Sequence, residues 1–290
     1  MTGPDRARFL NGLVTCAVGE LADGHGTFGF LTSLKGRVLA DLVVLATAET
    51  FLIDVPAGEA GNVSDHILKY RIADRAELEP VDTAVLRVAG PAAAERLAGW
   101  VGELPVEAWD HREVEIAGSD ARLVRRGNAP LEAFDLRLAP GDEAAVRQAL
   151  ASAGAAEAEP EEWERLRVAA GIPRFGVDFG TGNFPQETGL GESGVAYDKG
   201  CYLGQEVVAR IHYRGGVNKR LCGLTLSGGA VPAAGTEVHF DGRAAGTTGS
   251  AVATENGARA LAILHTRVET GAAVEVAGVG EATVVELPFP

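Results

Sequence analysis

The chain is poor in sulfur and in aromatic rings. It holds three cysteines and one methionine in 290 residues, and aromatic residues make up 6% of it. Cys16, Cys201 and Cys222 have no CxxC spacing, which argues against a disulfide scaffold and for a reducing compartment. The six histidines do not cluster with the cysteines at ligand spacing, so no self-contained zinc or other metal site is expected. Long hydrophobic runs are also missing. The most apolar stretch, Val38 to Ala46, is broken by Asp41 and is too short to span a bilayer. Met1 to Ala17 lacks the basic start and unbroken apolar core of a signal peptide. A cytoplasmic location with no membrane partner is therefore expected. Positive charge is in deficit, with 26 Lys and Arg against 40 Asp and Glu. A net charge of −14 disfavours nonspecific contact with nucleic acid or anionic membranes, so no direct nucleic-acid partner is expected.

Apolar residues make up 46% of the chain, beside 38 glycines and 13 prolines. That is enough to bury a large core and to make many turns. Strands are expected at Arg37 to Leu45, Thr50 to Val55, Ala84 to Val88 and Phe134 to Leu138, with a hairpin of Glu113 to Ala117 and Ala121 to Arg125. Helices are expected at Asn62 to Tyr70, Ala92 to Val101, Asp142 to Ala153, Glu161 to Ala170 and Leu203 to Tyr213. This alternation indicates an α+β fold. After Asn218 the texture changes to six short strands between glycine-rich turns, from Leu221 to Leu287. That is the pattern of a small antiparallel barrel or sandwich, and it places a boundary between residues 1–217 and 218–290. Arg174 to Asp198 has little periodicity and six glycines. Long irregular segments inside compact domains are usually functional.

This segment leads to Lys199-Gly200-Cys201-Tyr202-Leu203-Gly204-Gln205-Glu206. Here one thiol lies between two glycines, near a lysine, at the expected start of a helix. A neighbouring cation and exposed helix N–H groups favour a thiolate. A buried cysteine at a tight junction explains the same residues. From Lys199 to Arg220 the cations Lys199, Arg210, Arg214, Lys219 and Arg220 face one acid, Glu206. Such a segment suits an anion, or is simply a solvated helix face.

The octapeptide resembles the signature of the YgfZ family, folate-binding proteins that support iron–sulfur cluster proteins and, through them, tRNA modification. The resemblance runs on through Val207-Val208-Ala209-Arg210 and Asn218-Lys219-Arg220-Leu221. It reaches back to Pro185-Gln186-Glu187-Thr188-Gly189-Leu190, to Lys35-Gly36-Arg37-Val38-Leu39-Ala40-Asp41-Leu42 and to Phe9-Leu10-Asn11-Gly12-Leu13-Val14-Thr15. It implies the fold of the glycine-cleavage T-protein, a ring of two αβ lobes with a C-terminal antiparallel β-barrel around a folate channel. It also implies tetrahydrofolate or a derivative as ligand, and iron–sulfur assembly or client proteins as partners. Cys201 is then the working thiol, either a redox group or one ligand of a cluster shared with other donors, and Lys199 supports its charge. Glu187 matches the glutamate that binds the pterin ring in T-protein relatives. Tyr202 either stacks on a ligand or packs in the core. Gln205 and Glu206 fall in the first helical turn, where Glu206 serves as a cap or a ligand contact. Arg220 and Lys219 suit a carboxylate tail, Arg with the better bidentate geometry. Asp41 is the candidate acid/base of a rival reading, tetrahydrofolate-dependent aminomethyl transfer. The aminomethyltransferases carry two adjacent aspartates where this chain has Ala40-Asp41. His212 is expected at the surface, and Cys16 and Cys222 in the core.

Overall fold

A computed structural model describes all residues from Met1 to Pro290. The elements run α1 (Arg6–Asn11), β1 (Gly26–Thr32), β2 (Val38–Ala46), β3 (Phe51–Asp54), α2 (Ala60–Lys69), β4 (Ala84–Ala89), α3 (Ala93–Ala98), β5 (His111–Ile116), β6 (Ser119–Arg125), β7 (Ala133–Leu138), α4 (Glu143–Ser152) and α5 (Pro160–Ala169). A single 3-10 turn, Pro185–Glu187, and a short α6 (Gly191–Gly194) precede α7 (Gln205–Arg214). Six strands follow: β8 (Lys219–Ser227), β9 (Glu237–Phe240), β10 (Arg243–Thr254), β11 (Gly257–His265), β12 (Ala273–Val276) and β13 (Gly280–Val285). The fold is α+β, and its last six strands close into an antiparallel barrel of order β10-β11-β8-β13-β12-β9. The remaining strands form a sheet of order β1-β2-β3 and a four-stranded sheet of order β4-β7-β6-β5.

The chain divides into two compact units. One holds Met1–Gly29 and Leu42–Ala158; the other holds Phe30–Asp41 and Glu159–Pro290. The barrel therefore shares its unit with α5, α7, the irregular segment and the turn between β1 and β2. The expected body of residues 1–217 is divided between the two units.

In the first unit, Val146 and Leu150 of α4 and Ala93 and Leu97 of α3 pack with Leu123, Phe134 and Leu136 of the four-stranded sheet. Their four-residue spacing gives each helix one apolar stripe. The β5–β6 turn is made by Ala117 and Gly118 at φ +54° and +78°. Positive φ at both central residues matches the twist of the flanking strands.

In the second unit, Leu224, Leu226, Val238, Leu264, Val274 and Val284 fill the barrel. Helix α5 starts at Pro160 after a Glu159/Glu162 capping box, and Val168 packs on Leu261 and Phe289. Beneath α5 lies a buried polar knot. Arg167 donates to Asp178 Oδ2 at 3.0 Å and to Ser250 Oγ at 2.6 Å. Asp178 also accepts from Arg174 N at 2.7 Å and from Ser250 N at 2.6 Å. The register of β10 shifts between Thr248 and Ala251. A bulge takes a backbone N–H out of the ladder and re-aims it, and here Ser250 N is free to bind Asp178. Gly249 has no substitute in this bulge, because an added Cβ would stand 2.3 Å from Asp178 Oδ1. The knot ties the irregular segment to the barrel at its first turn.

Candidate functional site

The site lies wholly in the second unit. It is a pocket of about 400 Å³ bounded by Arg37, Phe184, Glu187, Val207, Arg210, Ile211 and the Gly216–Lys219 stretch. Three parts of the chain build it: the β1–β2 turn, the 3-10 turn and one face of α7.

Glu187 is the acid of the pocket, and only 4% of the residue is exposed. Its Oε2 accepts from Phe184 N at 3.0 Å and Asn183 Nδ2 at 3.3 Å, and lies 3.8 Å from Arg37 Nη1. These contacts fix the carboxylate, and all three fall on Oε2. Gly189, at φ +78°, turns the chain beside Leu221, where an added Cβ would meet that side chain at 2.8 Å.

Arg37 forms one wall. Its guanidinium lies 3.6 Å from the centroid of the Phe184 ring and donates to Gly182 O at 2.6 Å. On α7, Val207, Arg210 and Ile211 share the pocket face, as a spacing of three and four residues dictates. Lys219 enters from β8. The pocket thus pairs one held carboxylate and apolar walls with three cations. Such a set can orient a planar ring with hydrogen-bond donors at one end and an anionic group at the other.

The other sequence candidates fall elsewhere. Arg220 is one residue beyond Lys219 on β8, and strand alternation turns it away. It donates to Val268 O at 3.1 Å and Thr270 Oγ1 at 3.4 Å, so Lys219 and not Arg220 reaches the pocket. Gln205 and Glu206 do occupy the first turn of α7, but the pocket face begins at Val207. The helix expected from Leu203 starts two residues later, because Leu203-Gly204 make a turn and Gly204 sits at φ +84°. Cys201 consequently precedes the helix, and its expected place at the helix N-terminus is corrected to the loop before it. The thiol is exposed, whereas Cys16 and Cys222 are buried, so a buried structural cysteine does not account for Cys201. Tyr202 is a core residue: 7% of it is exposed, its hydroxyl has no partner, and burial pushes its phenol up. Lys199 Nζ lies 5.2 Å from the Tyr202 ring centroid. Asp41 is half-buried on β2 and does not line the pocket. His212 is exposed and stacks on Tyr197 at 3.7 Å.

Sequence reasoning gave no site role to Arg37 or Phe184. Both stand inside or beside stretches already marked by resemblance, and only the fold reveals their stacking. No group of three His, Cys, Asp or Glu side chains is arranged to hold a metal ion, and no helix is long and apolar enough to cross a membrane.

The architecture defines a protein of the glycine-cleavage T-protein fold class. The aminomethyltransferase T of the glycine cleavage system from Bartonella henselae superposes with a TM-score of 0.86, covering 100% of this chain and 82% of that one at 21% identity. Residues 1–199 match the family described as the GCVT N-terminal domain. Among curated proteins, the tRNA-modifying protein YgfZ of Pectobacterium carotovorum is 31% identical over 89% of this chain and 77% of its own. The YgfZ of Yersinia pseudotuberculosis is 29% identical over 89% of this chain and 78% of its own. A putative chloroplastic transferase of Arabidopsis thaliana is 25% identical over 100% of this chain and 68% of its own. The chain belongs to the YgfZ family.

Proposed function

We propose that this protein binds a reduced folate in the Glu187 pocket and supports the assembly or repair of iron–sulfur enzymes, including those that modify tRNA, through Cys201. The observation that carries the reading is a buried, oriented carboxylate in a pocket that also holds three cations. Glu187 would pair with the N–H edge of an aminopyrimidine. Phe184, Val207 and Ile211 would wall the ring, and Arg210 and Lys219 would hold the glutamate tail. Bound tetrahydrofolate supplies a carrier for one-carbon units at its reduced ring nitrogens. The relatives' shared name, tRNA-modifying protein, favours the tRNA link.

An exposed thiol on a loop can meet a partner or a cluster in transit. One thiol cannot hold a cluster alone, since clusters usually take four protein ligands, so the cluster is cargo and the other ligands come from elsewhere. The test is a deletion strain assayed for a [4Fe–4S] tRNA-methylthiolating enzyme. Wild type restores activity and Cys201→Ala does not. Equal rescue by both overturns the thiol's role. Rescue by neither shifts the reading to tetrahydrofolate-dependent aminomethyl transfer, which the Bartonella fold match favours.

A further inference from the structure

The turn between β1 and β2 touches two places at once. At one end Arg37 lines the pocket, stacked on Phe184 and 3.8 Å from Glu187 Oε2. At the other, Thr32 Oγ1 donates to Leu203 O at 2.6 Å, two residues after Cys201. The turn between them is tight and braced. Gly36 N donates to Ser33 O at 2.8 Å, Ser33 N donates to Arg37 O at 2.9 Å, and Arg37 N donates to Ser33 Oγ at 3.2 Å. It is also seated without slack. An added Cβ on Gly204 would stand 2.4 Å from Ser33 O, and one on Gly36 would stand 3.1 Å from Val207 Cβ. Val38 N donates to Asn183 O at 2.9 Å on the far side. Through these contacts the turn joins Arg37 to Leu203 and Gly204 without an intervening gap.

We propose that Arg37 is a positioning residue that couples ligand occupancy of the Glu187 pocket to the reactivity of the Cys201 thiol, through the Thr32–Arg37 turn. The inference rests on the folate reading of the pocket. The Arg37 side chain is 42% exposed at the pocket wall, so a ligand entering the pocket meets it directly and adds to its hold on Gly182 O and Phe184. With Arg37 pinned, the turn holds Leu203 and Gly204 more firmly, and the loop bearing the exposed Cys201 loses part of the motion by which its thiol aligns with a reagent. Ligand thereby slows the thiol's reaction with outside reagents until a partner engages it.

The protein suits a direct test, because Cys201 is its one exposed cysteine. Iodoacetamide alkylation of Cys201 is followed by mass spectrometry with and without 5-formyltetrahydrofolate, and binding of the same ligand is measured by calorimetry. The expected result is a rate about fivefold slower at saturation, the lower end of ordinary coupling between sites. Thr32→Val removes the hydroxyl that reaches Leu203 and touches nothing in the pocket. It should bind the ligand as wild type does and lose the ligand dependence of alkylation. Arg37→Ala, at its own saturating ligand concentration, should lose that dependence too. A merely structural role would raise alkylation equally with and without ligand. Binding with an unchanged alkylation rate in wild type overturns the coupling and spares the folate reading. Absence of binding overturns both.

Discussion

Asp178→Ala is the substitution that most severely tests how the irregular segment is held. Asp178 is 6% exposed and accepts four hydrogen bonds, two of them from the backbone of Arg174 and Ser250 at 2.7 and 2.6 Å. Removing the carboxylate leaves two N–H groups without their acceptor, at about 1–3 kcal/mol each where buried. It also strips one partner from the Arg167 guanidinium, whose side chain is 6% exposed. Breaking a buried ion pair costs about 3–5 kcal/mol when nothing replaces the lost partner. Glu164 stays 2.7 Å from Arg167 Nη2 and recovers part of that. The net loss is then on the order of 4 kcal/mol, a fall in Tm of about 10 °C. Urea unfolding followed by circular dichroism measures the first, and thermal scanning the second. Asp178→Asn keeps the shape and should lose about half as much. Proteolysis of the alanine variant should cut first between residues 174 and 198. A loss of less than about 1 kcal/mol would refute the reasoning, since it would mean that the knot does not hold the segment.

Three further outcomes follow from local chemistry. Burial and the nearby charge of Arg122 hold the His111 imidazole below its usual 6.5. The folded chain thus resists a proton that the unfolded chain accepts, so stability is full above about pH 6.5 and declines as pH falls through it; His111→Gln should flatten unfolding free energy between about pH 7 and 5. Gly204→Ala forces a Cβ to 2.4 Å from Ser33 O at φ +84°, which should cost about 1–3 kcal/mol by urea titration. Native labelling at pH 8 should place one adduct, on Cys201, by intact mass; Cys222 is buried and its thiol is pushed up to about 11, and both it and Cys16 should react only after unfolding.

Much of the fold was legible because its elements carry strong periods. The β5–β6 hairpin, the barrel strands and helices α2 and α4 follow from alternation or from four-residue apolar spacing. Strand β1 gave no such signal. Its last five residues, Phe28 to Thr32, are all buried, so nothing alternates, and two glycines disguise it. Helix α1 is six residues long, too short to display a helical period. Within the site, the resemblance marked Glu187, and the basic segment marked Lys219 and Arg210. The Lys219/Arg220 choice was not readable, because it depends on which face of β8 turns inward. The start of α7 was placed two residues too early, since the left-handed Gly204 that delays the helix reads in sequence as an ordinary helix-start glycine. The role of Arg37 needed the fold, for nothing in Lys35-Gly36-Arg37 foretells a ring 147 positions later.

The account rests on Glu187 as the group that recognises a reduced folate. Calorimetric titration of 5-formyltetrahydrofolate into wild type and Glu187→Gln tests this most directly. A hydrogen bond to a charged group contributes about 1.5–3 kcal/mol, so the account predicts saturable binding to wild type and a Kd about ten- to a hundredfold weaker in the variant, with unchanged circular dichroism. Equal affinity in the two proteins, or none in either, would contradict it.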